Sequence, residues 1–406
     1  MKPSRSPENT SPSPFTISDI ELSALATGNW LPSTLDLLVA AQYSKNVLLL
    51  WAVADSHAEA REAYAVLEQL DGHHLSDVVR HPSVGAWARH VMNGSAAAKR
   101  MANVAAAVAH RSQADMPITI PDAALPSIGV ADINGPAVVA EGRIGDVEIE
   151  GPSFHHLRPL SAQTGNDRIA VLIDDVDPFR LPGHSLLSKL RLEETEVLLW
   201  QRHLAAAWKL LVERHPRTVP WLSKMVRVLT PLDRPGERGQ SSATSRETFG
   251  TVALSTQPDA RWLANTLVHE SMHATLCAVL DIVPLLQGED TQLYYAPWRP
   301  DPRPLPGLLQ GTYAFLGVTR FWAKEFTHDP SDDFAALEFA RWRADAHQAA
   351  HVVLGSGRLT EAGRVWTEAM EQTLAEFRKV SLPETAEEYA RSSSHEHADR
   401  WRKRHL

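Results

Sequence analysis

The chain carries His269-Glu270-Ser271-Met272-His273, an H-E-x-x-H motif. Side chains four residues apart lie one above the other on a helix, so two imidazoles there can converge on a single cation. Glu270 sits beside them, where it could accept a proton or hold a bound water. Two histidines need at least one further ligand. Asp301 would complete two histidines and a carboxylate, the facial set that leaves open positions on iron(II). Gln310 is the residue that a second packed helix would point at the metal, although a neutral amide is a weak ligand. A gluzincin-type peptidase would instead draw a Glu from the next helix, twenty or more residues downstream. Glu289 and Asp290 come too early for that and read as loop residues.

A second chemistry-bearing stretch follows. Between Tyr295 and Pro306, Arg299, Asp301 and Arg303 alternate with Pro297, Pro300, Pro302, Pro304 and Pro306. Proline fixes the backbone and leaves little entropy to lose. Guanidinium groups held in such a frame can grip a carboxylate at two points.

These groups must be positioned by regular elements. Apolar residues at helical spacing from Arg261 predict an amphipathic helix that Pro284 stops. Glu247 to Ser255 reads as a strand just before it, and Met225 to Leu229 as another, with a polar loop over 233–245 between them. An edge strand at Gly250, Thr251 and Val252 would let an extended peptide pair through its main chain, with Gly250 leaving room for close approach. Gly307 to about Phe326 predicts the next helix, where Gly311 and Gly317 suggest close packing against a neighbour. Further helices are expected over 333–355 and 360–380.

Upstream, helical patterns run from Leu31 to Asp55, Glu59 to Leu70 and Val84 to Arg111, where Gly94 breaks the run. Short β-branched runs over about 118–175 predict a small inserted sheet; His155 and His156 could be ligands, but adjacent histidines point different ways and a solvated turn is the expected reading. A long helix is expected from Ser185 to Arg214. The fold class is therefore α+β and mostly helical. Its expected divisions are a disordered lead (1–15), a mainly helical region holding the small sheet (16–224), a metal-binding region (225–390) and a polar tail (391–406).

Composition excludes some classes. A formal net charge of -9 gives no footprint for nucleic acid or for an anionic membrane. Cys277 is the sole cysteine, so no internal disulfide can form, as suits a reducing compartment. The opening residues lack the apolar core of a signal peptide, and the apolar run Val47–Ala54 is too short to cross a bilayer. A cytoplasmic protein is expected.

Several stretches together resemble a known family. They are His269-Glu270-x-x-His273, Leu280-Asp281-x-Val283-Pro284-Leu285, Tyr295-Ala296-Pro297-Trp298-Arg299-x-Asp301-Pro302-Arg303-Pro304 and Gly307-Leu308-Leu309-Gln310-Gly311-x-Tyr313-Ala314. Leu38 to Lys45 matches its N-terminal region in the same way. The chain is similar to the HExxH-type 2-oxoglutarate-dependent peptide β-hydroxylases, which modify ribosomally made precursor peptides, often alongside a radical-SAM maturation enzyme. The resemblance implies a zincin-like core of strand, motif helix and following helix. It implies iron(II), 2-oxoglutarate and O2, with Arg299 or Arg303 holding the far carboxylate of the cosubstrate and a side-chain β-carbon gaining a hydroxyl. Glu270 would then orient a ligand or a water instead of acting as a protease base. Two other readings remain open on the residues alone. One is a zinc metallopeptidase in which Glu270 activates metal-bound water. The other is a non-catalytic peptide-binding partner of a maturation enzyme.

Overall fold

A computed structural model describes residues 14–70, 72–114, 116–187, 190–236, 240–289 and 291–405. Most of the expected disordered lead lies outside the described residues. The helices, in order, begin with α1 (Asp19–Ala26), α2 (Pro32–Ser56), α3 (Ala58–Leu67), α4 (Gly72–Val79), α5 (Pro82–Met92) and α6 (Met101–Arg111). Then come strands β1 (Ile118–Ile120), β2 (Ala124–Leu125), β3 (Gly129–Ala131), β4 (Ala137–Ala140), β5 (Arg143–Ile144), β6 (Val147–Glu148), β7 (Phe154–His156), β8 (Arg158–Thr164) and β9 (Asp167–Ile173). The second half runs α7 (Glu194–Arg214), α8 (Val219–Met225), β10 (Val228–Pro231), β11 (Ser242–Ala243), β12 (Thr251–Leu254) and α9 (Ala260–Leu280). It closes with β13 (Leu293–Tyr294), β14 (Arg303–Pro304), α10 (Leu305–His328), α11 (Asp333–Leu354), α12 (Glu361–Arg378) and α13 (Glu384–His405). The class is α+β and mostly helical, as the sequence predicts.

The expected small sheet over 118–175 resolves into three parts. Strands β1, β4, β5 and β6 form one sheet, and β2, β3 and β7 a second. The hairpin β8–β9 belongs instead to a five-stranded sheet in the order β11-β12-β10-β9-β8. In that sheet β9, β10 and β12 run parallel, while β8 and β11 are antiparallel at its two sides. Every residue of β10 and β12 is buried, as expected of parallel strands covered by crossover helices.

Several boundaries differ from expectation. The long helix starts at Glu194 rather than Ser185, because Pro182 and Gly183 hold the chain in turns and Glu193 forms a capping box with Glu196. Met225 ends α8 instead of opening a strand. Residues 247–250 form a turn, and β12 begins only at Thr251, after Gly250 at φ +97°. His155 and His156 lie on β7, not in a turn. The polar tail is helical: α13 packs on α11, with Ala386 and Ala390 buried against Ala336 and Ala340.

Helix α2 is longer and more apolar than the run Val47–Ala54 suggests. By length and mean hydropathy, 1.4 in its most apolar window, it passes for a membrane-crossing helix. Three of its polar residues, however, are engaged with the rest of the fold. Gln42 and Lys45 donate to Asp281, and Asn46 donates to the Val79 carbonyl. In this structure it is a packing helix.

The three largest apolar cores among the described residues are as follows. One lies between the five-stranded sheet and α7, α8 and α9. A second joins α2 through α6 to the two small sheets. The third, enclosed by α1, α9, α10, α11 and α12, is built around α10.

Candidate metal centre

Asp259 caps α9 by accepting from the Trp262 amide at 2.9 Å. The helix is not amphipathic in the usual sense, because it is embedded between the sheet and α10. From Leu263 to Val279 every residue is buried except His269, His273 and Cys277. These three are spaced i, i+4, i+8 and form one stripe. The sole partly open strip of a core helix is thus its histidine face.

The two imidazoles are neighbours, with ring centroids 4.9 Å apart and planes at 79°. His269 keeps 20 % of its side-chain surface open. Protein nevertheless surrounds the ring, and that burial pushes its pKa down to about 4 despite the opposing Glu270 charge. A neutral imidazole is the form that ligates metal. His273 Nδ1–H donates to Gln310 Oε1 at 3.1 Å, which leaves Nε2 as the lone-pair nitrogen. Gln310 also donates from Nε2 to Cys277 Sγ at 3.4 Å. Burial pushes the Cys277 thiol up to about 11, so it is a neutral, small side chain, as expected.

Glu270 is 1 % exposed. Its Oε2 accepts from Thr244 Oγ1 at 2.7 Å, and its Oε1 lies 3.9 Å from His269 Nε2. Thr244 comes from the polar loop just after β11, a contribution for which the sequence offered no signal.

Helix α10 approaches α9 through Gly317, where a Cβ would stand 2.6 Å from Met272 Cγ. Gly311 plays the corresponding part toward the arginine segment, since a Cβ there would lie 2.5 Å from the Trp298 ring. Trp298 stacks on Phe315 at 4.6 Å, and Phe315 meets His269 edge-on at 5.1 Å. This aromatic relay joins the segment holding Arg299, Asp301 and Arg303 to the histidine pair. Helix α13 braces the segment from outside: Tyr295 Oη is 2.8 Å from His397 Nδ1, its ring meets Trp401, and His405 Nε2 donates to the Pro300 carbonyl.

Two expectations are not met. Asp301 does not join the histidines. Its carboxylate accepts from Arg299 Nε at 2.9 Å and lies 3.5 Å from Arg303 Nη1, which holds it below the usual carboxylate range. The stiff turn brings acid and bases together, so the three charges satisfy one another. Among the described residues, the one triple of ligating side chains that converges lies elsewhere, on α11 and α12. The proposed peptide-pairing strand is not an edge either. β12 lies between β10 and β11, with Thr251 and Val252 buried. The close approach that Gly250 permits is to the chain's own Met225 carbonyl, 3.2 Å from a Cβ built there.

Asp281, just past the end of α9, accepts from Gln42 at 2.9 Å, Lys45 at 2.8 Å and Arg246 Nε at 2.8 Å. Two of the sequence stretches that carry the family resemblance, Leu38–Lys45 and Leu280–Leu285, therefore meet at one partly buried charge cluster.

Comparison with protein-family models and with curated proteins gives no match for this chain.

Proposed function

We propose that the protein is an Fe(II)- and 2-oxoglutarate-dependent hydroxylase acting on a side-chain β-carbon of a ribosomally made precursor peptide. The observation that carries this reading is the opening on α9: an otherwise buried helix leaves His269 and His273 accessible, and the Trp298–Phe315 relay brings the arginine segment to them. In this reading α9, α10 and the strand β12 correspond to a zincin-like core. The imidazole pair suits a first-row divalent ion, while the two-histidine, one-carboxylate set is incomplete while Asp301 is paired with arginine. Iron with 2-oxoglutarate would supply the oxidising power for C–H hydroxylation. The chain's own part is to hold the His269 ring neutral, to fix His273 through Gln310 and to hold Glu270 in place through Thr244. Arg299 or Arg303 would take the far carboxylate of the cosubstrate in exchange for Asp301. A radical-SAM enzyme of the same pathway is the partner that the resemblance suggests.

A gluzincin-type zinc peptidase is the second reading, favoured by the buried, hydroxyl-held Glu270 next to the histidines. It needs a ligating carboxylate from the following helix. The single carboxylate on α10, Glu325, is instead taken by His215 at 3.1 Å, Arg214 at 2.8 Å and Arg261 at 3.3 Å. A strand-capturing, non-catalytic binder has less support, because β12 is covered.

Anaerobic loading with iron(II) followed by 2-oxoglutarate should produce a weak visible charge-transfer band. A precursor peptide should gain one oxygen only when 2-oxoglutarate is present. Retention of zinc with oxygen-independent peptide cleavage would overturn the proposal in favour of the peptidase.

A further inference from the structure

His347 and His351 stand four residues apart on α11, and Glu371 faces them from α12. Their rings lie 4.5 Å apart at 64°. Both Nε2 atoms address the same carboxylate oxygen: Glu371 Oε1 is 2.9 Å from His347 Nε2 and 3.6 Å from His351 Nε2. Zinc bonds of about 2.0–2.1 Å to nitrogen and oxygen in a tetrahedron put ligand atoms about 3.3 Å apart. The two histidine-to-carboxylate spacings bracket that edge, and all three donor atoms lie within 4.8 Å of one another. We infer that His347, His351 and Glu371 form a second divalent transition-metal site, of the class that takes zinc, separate from the α9 centre.

The donor set is two histidines and a glutamate, with the glutamate 20 residues beyond the second histidine. A fourth position faces the groove lined by Ala344, Gln348, Val352 and Arg378, open to water or a small anion. Where the α9 motif places Glu270 after its first histidine, this helix has Gln348. A neutral amide cannot serve as a general base, so this site lacks the proton acceptor of the α9 motif and its inferred role is that of a clamp. What it clamps matters to the α9 centre. The Trp366 ring of α12 lies 4.8 Å from Tyr313 of α10, one turn from Gln310. At its N-terminus α12 is tied to the loop that follows α9, where Thr360 Oγ1 donates to the Pro284 carbonyl at 2.7 Å. A metal joining α11 to α12 would fix the frame that positions Gln310.

The test uses full-length protein without an affinity tag, dialysed against buffered Zn2+ and analysed for bound metal by mass spectrometry. The His269→Ala/His273→Ala variant should still bind one equivalent, and adding His351→Ala should remove it. His351 is exposed, so its replacement leaves packing intact. Zn2+ should raise the melting temperature of the first variant and leave that of the second unchanged. If the first variant binds no zinc, or if His351→Ala retains its equivalent, the site is refuted and the triad is only a hydrogen-bonded cluster. Because the α9 ligands are absent from both variants, failure of the hydroxylase reading would not disturb this result.

Discussion

Gln310→Leu tests the centre most directly, since it keeps the volume of the side chain and deletes its acceptor. The Gln310 oxygen takes the Nδ1 proton of His273 at 3.1 Å, which fixes the ring's tautomer and orientation and turns Nε2 outward. Removing such an outer partner of a metal-bound histidine lowers metal affinity about 10- to 100-fold. In free energy this is about 1.4–2.7 kcal/mol. The imidazole N–H left without a partner adds a cost to the fold of about 1–3 kcal/mol. Loss of a ligand is a larger effect, because two sites on one ion cannot be replaced by one. Competition titration against a chromophoric chelator separates the cases: Gln310→Leu should weaken binding by one to two decades, and His273→Ala should abolish it at this site. Gln310→Glu, which retains an acceptor, should restore affinity. If Gln310→Leu binds metal as tightly as the unaltered chain, something other than Gln310 orients His273 and the reasoning fails.

Three further perturbations follow from the geometry. Arg299→Leu or Arg303→Leu should raise the 2-oxoglutarate concentration required for turnover while leaving peptide affinity nearly unchanged, and kinetics showing an unaltered requirement in both would place the cosubstrate elsewhere. Gly311→Ala gains up to about 1 kcal/mol of helix propensity, but its methyl group would meet the Trp298 ring at 2.5 Å, and overpacking costs about 1–3 kcal/mol. The clash should win, lowering the melting temperature and shifting tryptophan fluorescence; a more stable variant with unchanged emission would contradict it. Asp174→Asn should change the pH profile of stability. Burial, then the Asp177 carboxylate, push Asp174 up to about 8, so the folded chain keeps a proton that the unfolded chain releases above its ordinary value of 3.8. Stability is therefore lost as pH rises across that window, at most about 1.4 kcal/mol per unit. His81, 4.0 Å away, is pushed down to about 4 by burial, and its own contribution is lost as pH falls below 6.5. The Asn variant should lose the alkaline slope and keep the acid one, and thermal unfolding at pH 5 to 8 that runs parallel in both proteins would refute the assignment.

What the sequence reveals of this centre depends on how local each interaction is. The motif helix and its successor were legible, because i, i+4 spacing and a terminating proline both act within one or two turns. Gly311 and Gly317 correctly announced close approach, though only coordinates tell that one receives Trp298 and the other Met272. Asp301 misled for a physical reason: proline stiffens a chain but does not aim it, and a carboxylate between two arginines satisfies them before any distant metal. The edge strand failed similarly, since period-two patterning fixes which residues are in a strand but not which strands flank it. Thr244 left no trace because a hydroxyl in a polar loop looks like any solvated residue until the loop returns to Glu270.

The α11 pair argues the other way. His347 and His351 have the same helical spacing as the motif histidines, and a search for i, i+4 histidines on predicted helices would have found both pairs. Only the intervening glutamate drew attention to one of them. Yet that glutamate is a feature of catalysis, not of coordination: ligation needs convergent lone pairs, and on α11 and α12 three donors already converge without it. The α9 pair has an adjacent buried glutamate and lacks an assembled third donor, whereas the α11 pair has the third donor and a glutamine in place of that glutamate. Reactivity and metal capture thus make separate demands on sequence, and a motif defined by catalysis registers only the first.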